Sequence, residues 1–158
     1  MMTKEQDLEN ELSVLKEPPF AHFCGSYNGG LSITTNIVSY SNLLYSSTNV
    51  AGTDLDISTG IFTSGWPGSY TVSWNLGVDA SSGDNAVWIY LRINGNQIAD
   101  SMHQSYYNGI SGYVYDQGGR DMIVHLDRGD TLDLYRKDCS AKIQFTIFCV
   151  SLSTFDIE

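Results

Sequence analysis

The residues best suited to chemistry crowd between positions 106 and 115, where Tyr106, Tyr107, Asn108, Tyr113 and Tyr115 stand close together. Loop tyrosines can stack on the apolar faces of sugar rings, and a neighbouring amide can satisfy ring hydroxyls. That pairing is the chemistry of carbohydrate recognition. Packing is the competing account: Tyr113 and Tyr115 alternate as strand residues do, and a tyrosine's apolar body with its polar tip also suits contact between copies of the chain.

Catalytic patterns are thin. His22, His103 and His125 are the only histidines, and no Gly-x-Ser-x-Gly elbow presents a serine nucleophile. His125 alternates with Val124 and Leu126, which predicts an outward-facing strand position. His22 follows two prolines and is expected to pack or hydrogen-bond within a first strand. No enzymatic activity is expected.

Cys24, Cys139 and Cys149 show neither Cys-x-x-Cys nor a His/Cys spacing that holds zinc. Buried free thiols are the leading reading, because Cys149 sits in the apolar run Phe145-Thr-Ile-Phe-Cys-Val150 where a small thiol packs. One intrachain bridge with a leftover thiol, or a bond between subunits, are the alternatives.

Eighteen acidic residues against eight basic ones give a formal charge of −10. Such a surface repels phosphate backbones and disfavours nucleic acid as a partner. No stretch approaches the roughly 20 apolar residues of a membrane-spanning helix. The start, Met-Met-Thr-Lys-Glu-Gln, has no apolar signal region, and no asparagine lies in a glycosylation sequon. A cytosolic protein or a mature one whose leader was removed both fit these observations.

The elements that must position the candidate residues are strands. At 158 residues the chain reads as one domain, residues 20–158, behind a short segment, residues 1–19. Within that segment, Leu8, Leu12 and Leu15 follow the four-then-three spacing of a coiled-coil seam before Pro18-Pro19 stops the helix. A frayed tail is the alternative, since so short a helix does not persist alone.

Strands are expected at Phe20–Cys24, 36–45, Ile61–Ser64 and Ser69–Val78. The last of these alternates Tyr70, Val72, Trp74, Leu76 and Val78 on one face. Ala86–Ile93 alternates likewise, Asn94-Gly95 predicts a tight hairpin, and Gln97–His103 is its return. Residues 106–119 are less regular. Met122–Leu126 and Thr131–Arg136 follow, joined at Arg128-Gly-Asp130. Ile143–Leu152, the most apolar strand, is expected to be buried on both faces. Many short strands with no helix in the body predict a sandwich, jelly roll or barrel.

In order and spacing, several pieces together resemble a C1q domain, the globular head of the C1q/tumour-necrosis-factor superfamily. They are Ser58-Thr-Gly-Ile-Phe-Thr63, Pro67-Gly-Ser-Tyr70, Asn94-Gly95, Gly119 and Val124-His-Leu-Asp-Arg-Gly-Asp130. The resemblance spans roughly residues 20–155. It implies an all-β, ten-stranded jelly roll that assembles as a homotrimer, secreted and extracellular with its leader removed. It also implies recognition work: lectin-like binding of microbial glycans in innate immunity, or cytokine- or adhesion-like engagement of a protein receptor.

The collagen-like stalk common in that family is missing, so the leucine seam would take its place. The family's Gly-Asp turn makes Arg128-Gly-Asp130 a structural feature rather than an adhesion peptide. The resemblance further implies a Ca²⁺ site near the trimer apex at Asp116 and Gln117, with Asn108 where a second acidic ligand often stands and Asp121 able to compensate its missing charge. Oxygen donors on loops suit Ca²⁺. A simple turn cap at Asp116 is the alternative.

Overall fold

Alternation fixes the central strand. In β5 (Gly68–Asp79) Tyr70, Val72 and Trp74 are fully buried, while Thr71 and Ser73 are half-buried and Asn75 is exposed. The pleat therefore puts the large side chains on one face, as their period of two requires. The computed structural model describes residues 3–14, 17–27, 37–79, 86–98, 103–106, 115–137 and 142–157. Side chains are described for all of these but 12–14, 76–79, 86–88, 103–106, 115–118, 137 and 142–144.

After an N-terminal helix, α1 (Lys4–Val14), come β1 (Ala21–Tyr27), β2 (Asn42–Thr48), β3 (Asp54–Asp56) and β4 (Ile61–Thr63). Beyond β5 lie β6 (Ala86–Ile93), β7 (Asn96–Gln97), β8 (His103–Tyr106), β9 (Tyr115–Leu126), β10 (Thr131–Lys137) and β11 (Lys142–Phe155). One sheet has the order β2-β1-β11-β5-β9 and the other β3-β4-β10-β6-β7, with β8 also on β6. β7 and β8 pair one after the other along β6, so they share one place in the order of the second sheet. The result is the ten-position jelly-roll sandwich that the resemblance implies.

The core lies between the sheets. Phe23 from the first sheet meets Phe62 of the second at 5.8 Å, and Phe62 meets Tyr70 edge-on at 5.8 Å. Ile89, Leu91, Leu132 and Leu134 complete the second layer. Tyr70 is satisfied although buried: its hydroxyl donates to the Trp66 carbonyl at 2.6 Å and lies 3.1 Å from Ser64 Oγ. Gly60, at φ 77°, passes so close to the Val38 carbonyl oxygen that a Cβ would collide with it.

Three expectations need correction. β11 is buried on one face only: Thr146, Phe148 and Val150 face the core, whereas Phe145, Ile147 and Cys149 are half-buried on the outer face. Apolar content on that outer face misled the sequence reading. The second expected strand, 36–45, begins later, at Asn42; residues 37–41 join the body through the bridge Ile37↔Tyr135 and tertiary bonds such as Val38 N to the Leu134 carbonyl. Finally, Cys24 and Cys149 are bonded to each other. They stand directly opposite on β1 and β11 with Cα atoms 4.1 Å apart. Cys139 lies outside the described residues.

α1 begins with a capping box. Gln6 N donates to Thr3 Oγ1 at 3.2 Å, and Thr3 N donates to Gln6 Oε1 at 3.0 Å. Leu8, first of the three seam leucines, is buried against Val50 and Trp66 of the chain's own body. The side chain of Leu12, and Leu15 altogether, lie outside the described residues.

Candidate functional site: the loop end and the sheet edges

Antiparallel pairing brings the two strand ends that flank the candidate binding segment to one end of the sandwich. β8 stops at Tyr106, opposite Ala86 where β6 starts; β9 starts at Tyr115, opposite Asp79 where β5 stops. Lys142, the start of β11, also stands opposite Asp79, and Lys137, the end of β10, opposite Trp88. β8 and β9 run beside each other. The segment between Tyr106 and Tyr115 therefore springs from two neighbouring strand ends. Tyr107, Asn108 and Tyr113 lie outside the described residues, and Tyr106 and Tyr115 are placed by backbone alone.

The same register separates the expected cation ligands. Asp116 stands opposite Val78 and Gln117 opposite Gly77, at the loop end. Asp121 stands opposite Ser73, five residues further along β9, which is roughly 16 Å at strand rise. Asp121 is exposed there and is not brought to Asp116 and Gln117. Among the described residues no group of three or more His, Cys, Asp or Glu side chains is placed to hold a metal.

Apolar side chains stand in water at both edges of the first sheet. On edge strand β2, Leu43, Leu44 and Tyr45 are 44%, 56% and 51% exposed; on edge strand β9, Ile123 is 68% exposed. Between them the outer face carries Thr71, Ser73, Cys149 and Ser151, all half-buried, beside Phe145 and Ile147 of β11. His22 packs at a tilt against the Tyr45 ring, with centroids 4.9 Å apart, and its Nε2 lies 3.6 Å from Cys24 Sγ.

No family model and no curated protein matches the sequence. A solved structure does: the globular domain of the zebrafish complement 1qA protein superposes with a TM-score of 0.61 at 19% identity. The match covers 86% of this chain and 99% of that one. The chain has the C1q globular-head fold.

The other end of the C1q-like body is occupied by its own helix. Arg128, in the turn between β9 and β10, holds Glu11 of α1 through Nη2–Oε2 at 2.7 Å and Nη1–Oε1 at 2.5 Å, and lies over the Trp66 ring at 5.6 Å. The hydrogen bond to Glu11 raises the Arg128 pKa further, so the guanidinium stays charged. Asp130 is equally committed: Oδ1 accepts from Asn94 Nδ2 at 2.9 Å and Oδ2 from Asp127 N at 2.8 Å. Gly129 supplies the positive φ of the turn, 87°. Arg128-Gly-Asp130 is thus spent inside the fold, as the sequence reading expects.

His125 faces outward as expected, but it is not idle. Its Nε2 lies 2.7 Å from Asp156 Oδ2, and both line a cavity of about 240 Å³ with Lys4, Glu5, Leu8, Pro67 and Asp127. Two parts of a hydrolytic triad are therefore together, yet the described residues of the lining include no serine, threonine or cysteine to act as nucleophile. Nothing in the sequence joined His125 to Asp156, because the C-terminal segment reaches that strand only through the Trp66–Pro67 corner. There Trp66 Nε1 donates to the Asp156 carbonyl at 3.1 Å, and Asp156 N donates to the Pro67 carbonyl at 2.9 Å.

Proposed function

We propose that this chain is the recognition head of a secreted, trimeric, lectin-like protein of innate immunity that binds microbial surface carbohydrate through its loop end. The observation that carries the reading is the pair of wet apolar edges. Leu43, Leu44 and Tyr45 on β2, and Ile123 on β9, are different surfaces on opposite sides of one sheet. Surfaces so arranged suit a head-to-tail contact, which closes into a ring when the rotation permits. The C1q-like fold supports three as the number of copies.

A ring of three turns every loop end the same way. Tyr106 and Tyr115, with Tyr107, Asn108 and Tyr113 between them, then supply stacking and hydrogen bonding to sugars at three points. Weak single sites gain about 10²–10⁴ in avidity when their spacing matches a repeating surface. A charge of −10 works against direct attraction to anionic polysaccharide, which favours neutral sugars or contacts bridged by a cation. Ca²⁺ is part of the proposal through Asp116, Gln117 and Asn108, without Asp121.

A glycan array probed with the intact chain in Ca²⁺ and again in chelator tests the reading. The expected result is retention on a limited set of microbial glycans, weakened by Tyr106→Ala or Tyr115→Ala. Uniform silence from a correctly folded trimer would remove carbohydrate from the account.

A further inference from the structure

We propose that the Cys24–Cys149 bridge is a covalent modification site for small thiols, with His22 selecting which sulfur is released. The bond joins residues 125 apart in sequence, on the first and last core strands of the sheet. Burial alternates so that Phe23, Phe148 and Val150 face the core, which leaves both cysteines on the outer face, half-buried rather than sealed. Tyr45 stands opposite Cys24 across β2, and Ser73 opposite Cys149 across β5. The β5 partner of Cys149 is thus a small side chain.

The two sulfurs differ in their company. His22 Nε2 lies 3.6 Å from Cys24 Sγ, and the imidazole packs at a tilt against the Tyr45 ring, with centroids 4.9 Å apart. The residues paired with His22 across its neighbouring strands are Ser47 and Ser151, both uncharged. A thiolate formed at Cys24 therefore has an imidazole nitrogen beside it, a donor in the Nε2–H tautomer, and among the described residues a thiolate at Cys149 has no such hydrogen-bonding neighbour. A thiol whose anion is stabilised leaves faster in exchange.

The step balances as follows. A thiolate RS⁻ attacks Cys149 Sγ, the Cys24–Cys149 bond breaks, and Cys24 departs with the electron pair as a thiolate that takes a hydrogen bond or proton from His22. Cys149 is left as the mixed disulfide Cys149–S–S–R. A second RS⁻ attacking the R sulfur releases the Cys149 thiolate and forms R–S–S–R, so two thiols are oxidised as the protein disulfide is reduced.

The test uses the folded full chain with Cys139 alkylated beforehand and glutathione as the probe. After brief exposure the reaction is quenched with iodoacetamide, and peptides carrying Cys24 and Cys149 are weighed. Glutathione on Cys149 with carbamidomethyl on Cys24 is the expected product, formed without denaturant. His22→Ala is expected to slow it about tenfold, as loss of a stabilised leaving group would, and to spread the adduct over both sulfurs. If glutathione reacts only after unfolding, or if the native chain labels both cysteines equally, the proposal fails. Should His22→Ala misfold, the position of the adduct on the unaltered chain still decides.

Discussion

Arg128 grips Glu11 at two points, joining the turn before β10 to a helix 117 residues earlier in the chain. With Leu8 sunk against Val50 and Trp66, and Lys4 3.8 Å from Asp127, this grip closes the helix over the base of the sandwich.

Among its described side chains, Leu8 holds the helix more than its charges do. Exposed ion pairs contribute about 0–1 kcal/mol each, whereas truncating a buried leucine costs about 2–5 kcal/mol. Eleven residues are also too few to stay helical once undocked. Leu8→Ala is therefore expected to free α1 while the body stays folded. Amide exchange across residues 4–14 should accelerate at least tenfold, with the protection of β5 and β11 unchanged. Glu11→Gln should produce a smaller acceleration that vanishes in high salt.

Asp133 is almost wholly buried beside Arg92, with Nε–Oδ1 at 2.7 Å and Nη2–Oδ2 at 3.1 Å. Arg92 also covers the Tyr135 ring at 4.3 Å. Removing one partner strands the other charge in poor solvent, at about 3 kcal/mol or more. Asp133→Ala should lower the melting temperature by roughly 6–12 °C for a chain of this size. Replacing both partners by apolar residues, Arg92→Met with Asp133→Leu, should recover most of the loss in a thermal melt.

Two buried tyrosines should respond oppositely to loss of the hydroxyl. Among the described residues Tyr40 OH has no hydrogen-bond partner, so Tyr40→Phe is expected to be neutral or mildly stabilising at pH 7. Tyr70 bonds Trp66 and Ser64, so Tyr70→Phe should cost about 1 kcal/mol. Burial first, and the Asp133 carboxylate second, push Tyr40 well above the usual tyrosine value of 10.0. The folded chain keeps a proton that the unfolded chain gives up, so this stability is intact below pH 10 and is lost as pH climbs past it. Denaturant titrations at pH 9 to 11.5 should show a shallower decline for Tyr40→Phe than for the unaltered chain. A small slope remains, because burial raises Tyr70 as well.

Strands with a clean period were legible from the residues alone. β6 matches its expected bounds, and Asn94-Gly95 forms the expected turn with φ of 51° and 78°. Long-range partnerships were not. The Cys24–Cys149 bond depends on β1 and β11 being neighbours in register, which no local spacing reveals. Asp121 can supply the charge that Asn108 lacks, but an extended strand carries the five residues from Asp116 to Asp121 roughly 16 Å, a separation no composition displays. β3, Asp54–Asp56, is too short and acidic to show a pattern. The Thr3-x-x-Gln6 capping box could have been read and was overlooked beside the leucine spacing.

The association of copies through the first sheet's edges is tested most directly by sedimentation equilibrium of the purified chain at micromolar concentration. The account predicts three times the 17.5 kDa protomer mass, falling to a single protomer in Leu44→Glu or Ile123→Glu. A stable 17.5 kDa species from the unaltered chain, or a trimer indifferent to both substitutions, would contradict it.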